Sequence, residues 1–171
     1  MNDTSKALAA YKALLVQLDA YERHILKKCE GLIFCKDGCS SCCILKTVNK
    51  LEAAVVLETL KNIDAATKET LLKNKSKSRC PLLLDGSCTV YQNRPVICRT
   101  HGYPLTAQNK TVYCRKNFKT KSPDDFGPFL EIEKLDTALA AMAVQYQTEL
   151  GDCADSDRVS LRRLLRRSMN G

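Results

Sequence analysis

Cys35-Lys36-Asp37-Gly38-Cys39-Ser40-Ser41-Cys42-Cys43 is the stretch from which the rest of the chain is best read. Four thiols fall within nine residues, spaced C-x-x-x-C-x-x-C-C. A glycine and two serines leave the backbone between them pliable enough to turn several sulfurs toward one point. The Cys39 to Cys42 step is a C-x-x-C loop, which lets two sulfurs reach one ion. Cys42 and Cys43 are direct neighbours, and on an extended backbone neighbouring side chains diverge. That pair therefore suits two metals, or two irons of one cluster, better than a single ion. Loop-like spacing of this kind is poor design for mere burial of free thiols.

Working outward, Cys80, Cys88, Cys98 and Cys114 follow at looser intervals. The expected ligand set is thus Cys35, Cys39, Cys42, Cys43, Cys80, Cys88, Cys98 and Cys114, and eight sulfurs divide into two four-ligand sites. Zinc and iron–sulfur clusters both take thiolates, so either zinc or iron satisfies this donor set. Ten cysteines in 171 residues stay below the density of a small disulfide scaffold. Met1-Asn2-Asp3-Thr4 shows no basic start, apolar run or small-residue cleavage site of a signal peptide. Apolar runs such as Ala53-Ala54-Val55-Val56-Leu57 are far too short to span a bilayer. A reducing cytoplasm is the expected compartment, with no membrane partner, and clustered cysteines there bind metal more often than they pair. A disulfide-based redox switch is the separate alternative.

The net charge of +8 counts every cysteine as a neutral thiol. Removing eight thiol protons and adding two divalent ions leaves +4, so part of the basic excess balances the cluster. With no Trp, four Phe and six Tyr, platforms for stacking bases are few. Both points argue against a nucleic-acid partner.

The flanks read as helices. Leu8, Tyr11, Leu15, Leu18, Tyr21, Ile25 and Cys29 recur at threes and fours, predicting a helix from residue 4 to about 30. Thr4 or Asp3 is its expected N-cap and Gly31 its stop. Cys29 lies on the apolar stripe and reads as a small buried hydrophobe, while His24 reads as a polar residue beside it. Asn49-Lys50-Leu51-Glu52 has the form of a capping box, opening a helix to about Leu60. Asp64 is expected to cap another over 65–74. The basic run Lys73 to Arg79 reads as a solvated helix end and connector. Asp85-Gly86 predicts a tight turn between short extended runs, a hairpin carrying a cysteine at each end. Residues 105–128 look irregular. Helical spacing returns from Leu130 to Thr148 through Ile132, Leu135, Leu139, Met142 and Tyr146, with a break at Gly151-Asp152-Cys153. A last helix over 157–168, capped by Ser156 or Asp155, is expected to turn Val159, Leu161, Leu164 and Leu165 inward and Arg162, Arg163, Arg166 and Arg167 outward. The expected fold is mainly α: one domain over 1–171, in which helices at 4–30 and 129–168 frame a cysteine-rich middle, 30–118, with a small β-hairpin.

The motifs together carry a resemblance. C-x-x-x-C-x-x-C-C at 35–43, Cys80-Pro81-Leu82-Leu83 with Gly86-Ser87-Cys88-Thr89-Val90-Tyr91, and Arg94-Pro95-x-x-Cys98-Arg99 stand in the order found in the YkgJ-like cysteine-cluster family. That family is described as a zinc- or iron-chelating domain with eight characteristic cysteines. The resemblance covers roughly residues 30–118, places Cys114 as the eighth cysteine by position, and leaves Cys29 and Cys153 outside. Cys98-Arg99-Thr100-His101-Gly102-Tyr103-Pro104 departs from the commoner C-R-x-aromatic-P form, so His101 is either a substitute ligand, a partner of one, or a loop residue. Arg94 and Arg99 are expected either to hydrogen-bond thiolates and carbonyls or to form surface salt bridges. Flagellin lysine N-methylases carry a similar cysteine motif, but no glycine-rich strand-to-helix fingerprint for a nucleotide-like donor stands in this chain.

The leading expectation is a metal-binding protein whose centre is structural or sensory, with no catalytic triad or carboxylate pair of its own. One alternative is an iron–sulfur enzyme, or enzyme partner, doing redox or group-transfer chemistry. The other is a nucleic-acid binder resting on the 161–167 arginines and the 73–79 basic run.

Overall fold

The computed structural model describes residues 5–36, 38–151 and 157–169. Its elements run α1 (Lys6–Lys28), β1 (Thr47–Asn49), α2 (Lys50–Lys61), α3 (Ala65–Lys73), β2 (Leu83–Leu84), β3 (Ser87–Cys88), α4 (Val96–Thr100), β4 (Leu105–Ala107), β5 (Lys110–Val112), α5 (Ile132–Glu149), β6 (Arg158–Ser160) and α6 (Leu161–Arg167). The protein is mainly α, with small antiparallel strand pairs β1–β6, β2–β3 and β4–β5. The chain forms two compact units, Met1–Lys36 with Val96–Gln145, and Asp37–Pro95 with Tyr146–Gly171.

In the first unit, α1 buries Ala7, Tyr11, Leu15, Leu18 and Ile25, and its C-cap Cys29 is 1% exposed. That is the small buried hydrophobe expected of Cys29, and His24 is exposed. The helix is capped by Ser5, whose side chain accepts from the Leu8 N–H. Thr4 and Asp3 lie outside the described residues. The unit's core is aromatic: Ile25, Cys29, Tyr103, Phe118 and Phe129 form one cluster, with Tyr21, Leu32, Ile33 and Phe126 against it.

Residues 105–128, expected to be irregular, contain a hairpin. β4 and β5 pair with Leu105 opposite Val112, and Gln108 and Asn109 turn with φ of 47° and 60°. Two successive positive φ values are the geometry usually supplied by Asn-Gly. Gln-Asn achieves it without the glycine that flags such turns.

The second unit has an aliphatic core. Val48, Ala53, Val56, Leu57, Leu60, Leu71, Leu82, Val90, Leu161, Leu164 and Leu165 form one buried cluster, and each fully buried leucine contributes roughly 2 kcal/mol of transfer free energy. Asn49 caps α2 by accepting from the Glu52 N–H at 2.8 Å, and Asp64 caps α3 by accepting from Thr67 at 2.8 Å. Lys68 is buried and donates to the last-turn carbonyl of Lys61 and to Ser168 O, both at 3.2 Å. It answers two helix C-termini with one cation.

The last helix begins later than its expected start at 157. Arg158–Ser160 is β6, paired antiparallel with Thr47–Asn49, and only Leu161–Arg167 is helical. Pairing with a strand 111 residues away overrides local helical preference there. The expected caps Ser156 and Asp155, and Cys153, lie outside the described residues. Leu161, Leu164 and Leu165 are buried as expected, and Arg163, Arg166 and Arg167 are exposed.

Candidate metal centre

The cysteine motif straddles the two units. Cys35 belongs to the first with Cys98 and Cys114, and Cys39, Cys42, Cys43, Cys80 and Cys88 to the second. Each group is built by its own local devices.

In the second unit, the loop closes on itself with Cys43 N–H donating to Ser40 O (3.0 Å) and Ile44 N–H to Cys42 O (2.9 Å). Gly38, at φ 86°, supplies a backbone conformation that side-chain-bearing residues avoid. The Arg79 guanidinium donates to Ser40 O at 2.7 Å and to Ser41 O at 3.4 Å. The Lys46 ammonium in turn donates to the Arg79 carbonyl. Cys80 N–H donates to Cys43 O at 2.8 Å, stitching the two cysteine segments together through backbone. Beyond Cys80, the predicted hairpin is present. Leu83 faces Cys88, and Asp85 and Gly86 turn at φ 49° and 84°.

Cys43 sits among these thiols. Burial raises its pKa above the ordinary thiol value, the charges of Cys88 and Cys39 add to that, and a hydrogen bond from Cys42 and the charge of Arg79 oppose it. Cys80 is raised as well, first by burial and then by Cys43, with the Leu82 N–H and Lys46 opposing.

In the first unit, one side chain arranges the site. Asn117 is 1% exposed, accepts from the Phe34 N–H at 2.9 Å, and donates to Gly102 O at 2.6 Å and to Cys35 Sγ at 3.5 Å. It is presented by a turn in which its own N–H donates to Cys114 O at 2.9 Å, while the Cys114 N–H donates to Gly102 O at 3.4 Å. Gly102, at φ 105°, is the close-approach point: a Cβ there would stand 2.5 Å from Cys35 Sγ and 3.8 Å from Cys114 Cβ. Cys98 lies on α4 and is exposed, and His101, just beyond α4, is an exposed loop residue.

Both flanking arginines are buried. Arg94 stacks over the Tyr91 ring, 3.9 Å from its centre, and donates to Tyr91 O at 3.0 Å. Arg99 pairs with Asp19 of α1. Asn117 and Arg79 are the organising residues that sequence reasoning missed.

Among the described residues, no three Cys, His, Asp or Glu side chains stand together at metal-ligand spacing. The fit to a metal is therefore one of donor chemistry. Thiols are soft donors, which suit zinc or iron and not the oxygen-seeking ions. None of the described cysteines is in a disulfide, and no described helix is long and apolar enough to cross a membrane.

A cysteine-rich chelating domain is the class that this donor set defines. Residues 34–119 match the CxxCxxCC family model, described as "Putative zinc- or iron-chelating domain". The match covers about half of the chain, and the protein belongs to that family. The family's name spells two residues between the first two cysteines, where Lys36-Asp37-Gly38 makes three here. Comparison with curated proteins and with solved structures finds no match.

Proposed function

We propose that the protein chelates zinc or iron through the thiolates of Cys35, Cys39, Cys42, Cys43, Cys80, Cys88, Cys98 and Cys114, in a structural or sensing role. The observation that carries this reading is the joining of the two cysteine segments in the second unit, where the Cys80 N–H donates to Cys43 O and the hairpin sets Leu83 opposite Cys88, in a chain of a zinc- or iron-chelating family. Neighbouring thiols raise one another's pKa, and a thiophilic cation relieves that repulsion by binding them as thiolates. A bound ion would supply cross-links between segments far apart in sequence, or a cluster whose charge responds to its surroundings. Within the chain, Arg79 holds the 40–41 carbonyls, and Asn117 with Gly102 fixes Cys35.

Elemental analysis and a visible absorption spectrum on anaerobically purified protein test the proposal. Colourless protein with stoichiometric zinc, or brown protein with iron and sulfide, is expected, and Cys43→Ser should lose metal. Protein containing neither metal, or Cys43→Ser retaining all of it, overturns the reading.

A further inference from the structure

The second unit carries a feature that the thiol chemistry does not use. A cleft of about 460 Å³ is lined by Lys46, Lys75, Lys77 and Arg162 together with Ser76 and Ser160. Four cations face it, and no described residue lining it is acidic. Two of them are held in place by carbonyls. Lys46 donates to Arg79 O, and Arg162 donates to Leu72 O at 3.3 Å and to Asn74 O, at the end of α3. Such bonds satisfy N–H groups but leave the positive charge uncompensated. Lys75 and Lys77 are exposed, and no described carboxylate pairs with either. Ser160 precedes α6 without using its hydroxyl as a cap.

A concave site walled by charge of one sign focuses the field and concentrates counter-ions. Its volume lies in the range of small-molecule sites, roughly 300–1,000 Å³. No aromatic side chain lines it, so it lacks the stacking surface on which single-stranded nucleic acids rely. Ammonium groups, a guanidinium and hydroxyls are the donors that oxyanions take.

We propose that this cleft binds a compact, multiply charged phosphate anion, with Lys75 and Lys77 as the principal cations and Arg162 and Lys46 as the anchored ones. The bare phosphates and a nucleoside diphosphate share that chemistry, and the test separates them.

Isothermal titration of the as-purified protein with pyrophosphate, at low salt, is the experiment. Metal content is measured before and after, because pyrophosphate also chelates metals. Saturable one-to-one binding is expected, weakening as salt rises. Lys75→Gln with Lys77→Gln should weaken it about tenfold or more, a shift in affinity of about 1.4 kcal/mol at the least. Both positions are exposed, so the variant folds. Lys119→Gln with Lys121→Gln removes the same charge from exposed positions of the first unit and should leave affinity within about twofold. ADP binding no tighter than pyrophosphate assigns the site to the phosphates alone, and tighter binding that is equally sensitive to Lys75 and Lys77 assigns it to a nucleoside diphosphate. The proposal is overturned by absence of saturable binding, or by equal loss in both double variants. It also fails if binding tracks metal content and ignores Lys75 and Lys77, or if RNA binds there and pyrophosphate does not displace it.

Discussion

In the first unit, Cys35 stands beside a buried amide and a glycine; in the second, Cys39, Cys42 and Cys43 sit on a loop tied by an exposed guanidinium to its own carbonyls. The first arrangement is specified by packing: Asn117 is buried, its amide oxygen holds the Phe34 N–H, and its nitrogen reaches both Gly102 O and Cys35 Sγ. The second is specified by backbone, through the Ser40–Cys43 turn, the Cys43–Cys80 bond and the hairpin register. The two cores differ in parallel, aromatic in one and aliphatic in the other. A thiol placed by a buried side chain is sensitive to one substitution. A thiol placed by several backbone bonds is not, and this contrast can be tested.

The largest effect is expected at Asn117. Asn117→Leu preserves volume but leaves the Phe34 N–H and the Gly102 carbonyl without the partner they have now. Orphaning the Phe34 N–H, and leaving the Gly102 carbonyl with only the Cys114 N–H, should cost about 2 kcal/mol. Urea unfolding of the metal-free protein checks the number, and the contrast breaks if the loss is under about 1 kcal/mol.

An intermediate effect is expected at Tyr21, whose hydroxyl donates to Pro104 O at 2.9 Å and accepts from the Leu130 N–H at 3.3 Å. Burial raises its pKa above 10.0 against the lowering effect of the Leu130 N–H, and the Cys29 charge adds to the rise. The folded value lies above the unfolded one, so the phenol's contribution is complete below pH 10.0 and fades as pH climbs through the folded pKa. In the second unit, Tyr146 is raised too, by burial and then by Glu149. Ultraviolet titration should show late-ionising phenols, and Tyr21→Phe should remove one of them and cost about 1 kcal/mol. Loss of an ordinary, early-titrating phenol instead would contradict the buried hydrogen-bonded placement.

What could be read from the chain was local. Asn49, Asp64 and Asp85-Gly86 announce caps and a turn because the bonds they make span two or three residues. The 3.6-residue stripes found α1 and α5 for the same reason. The β1–β6 pairing joins residues 111 apart, and three residues of strand leave no periodicity to recognise. Asn117 meets Phe34 across 83 residues, from a stretch whose composition signals only irregularity. At the candidate site, spacing singled out the cysteines as candidates, but not the Ser40–Cys43 turn that closes their loop. Nor did it find Arg79, which sits in a run of cations that reads as mere solvated charge.

Arg79 provides the smallest expected effect and the sharpest use of the comparison. Its side chain is exposed, and its two hydrogen bonds reach carbonyls of a loop already closed by backbone. Arg79→Gln should therefore cost about 0.5 kcal/mol in global unfolding, within the range of surface substitutions. Its consequence should be local: with the clamp gone, the 39–43 loop opens more often, and local opening is what exposes a thiol to reagent. In metal-free protein, the Cys42 and Cys43 thiols should react a few times faster with a disulfide reagent, read by mass spectrometry of peptides, while Cys35 reacts at its original rate. Asn117→Leu should do the reverse, accelerating Cys35 in addition to its global cost. If either variant speeds all the thiols equally, the two groups are not held independently, and the distinction between side-chain and backbone placement fails.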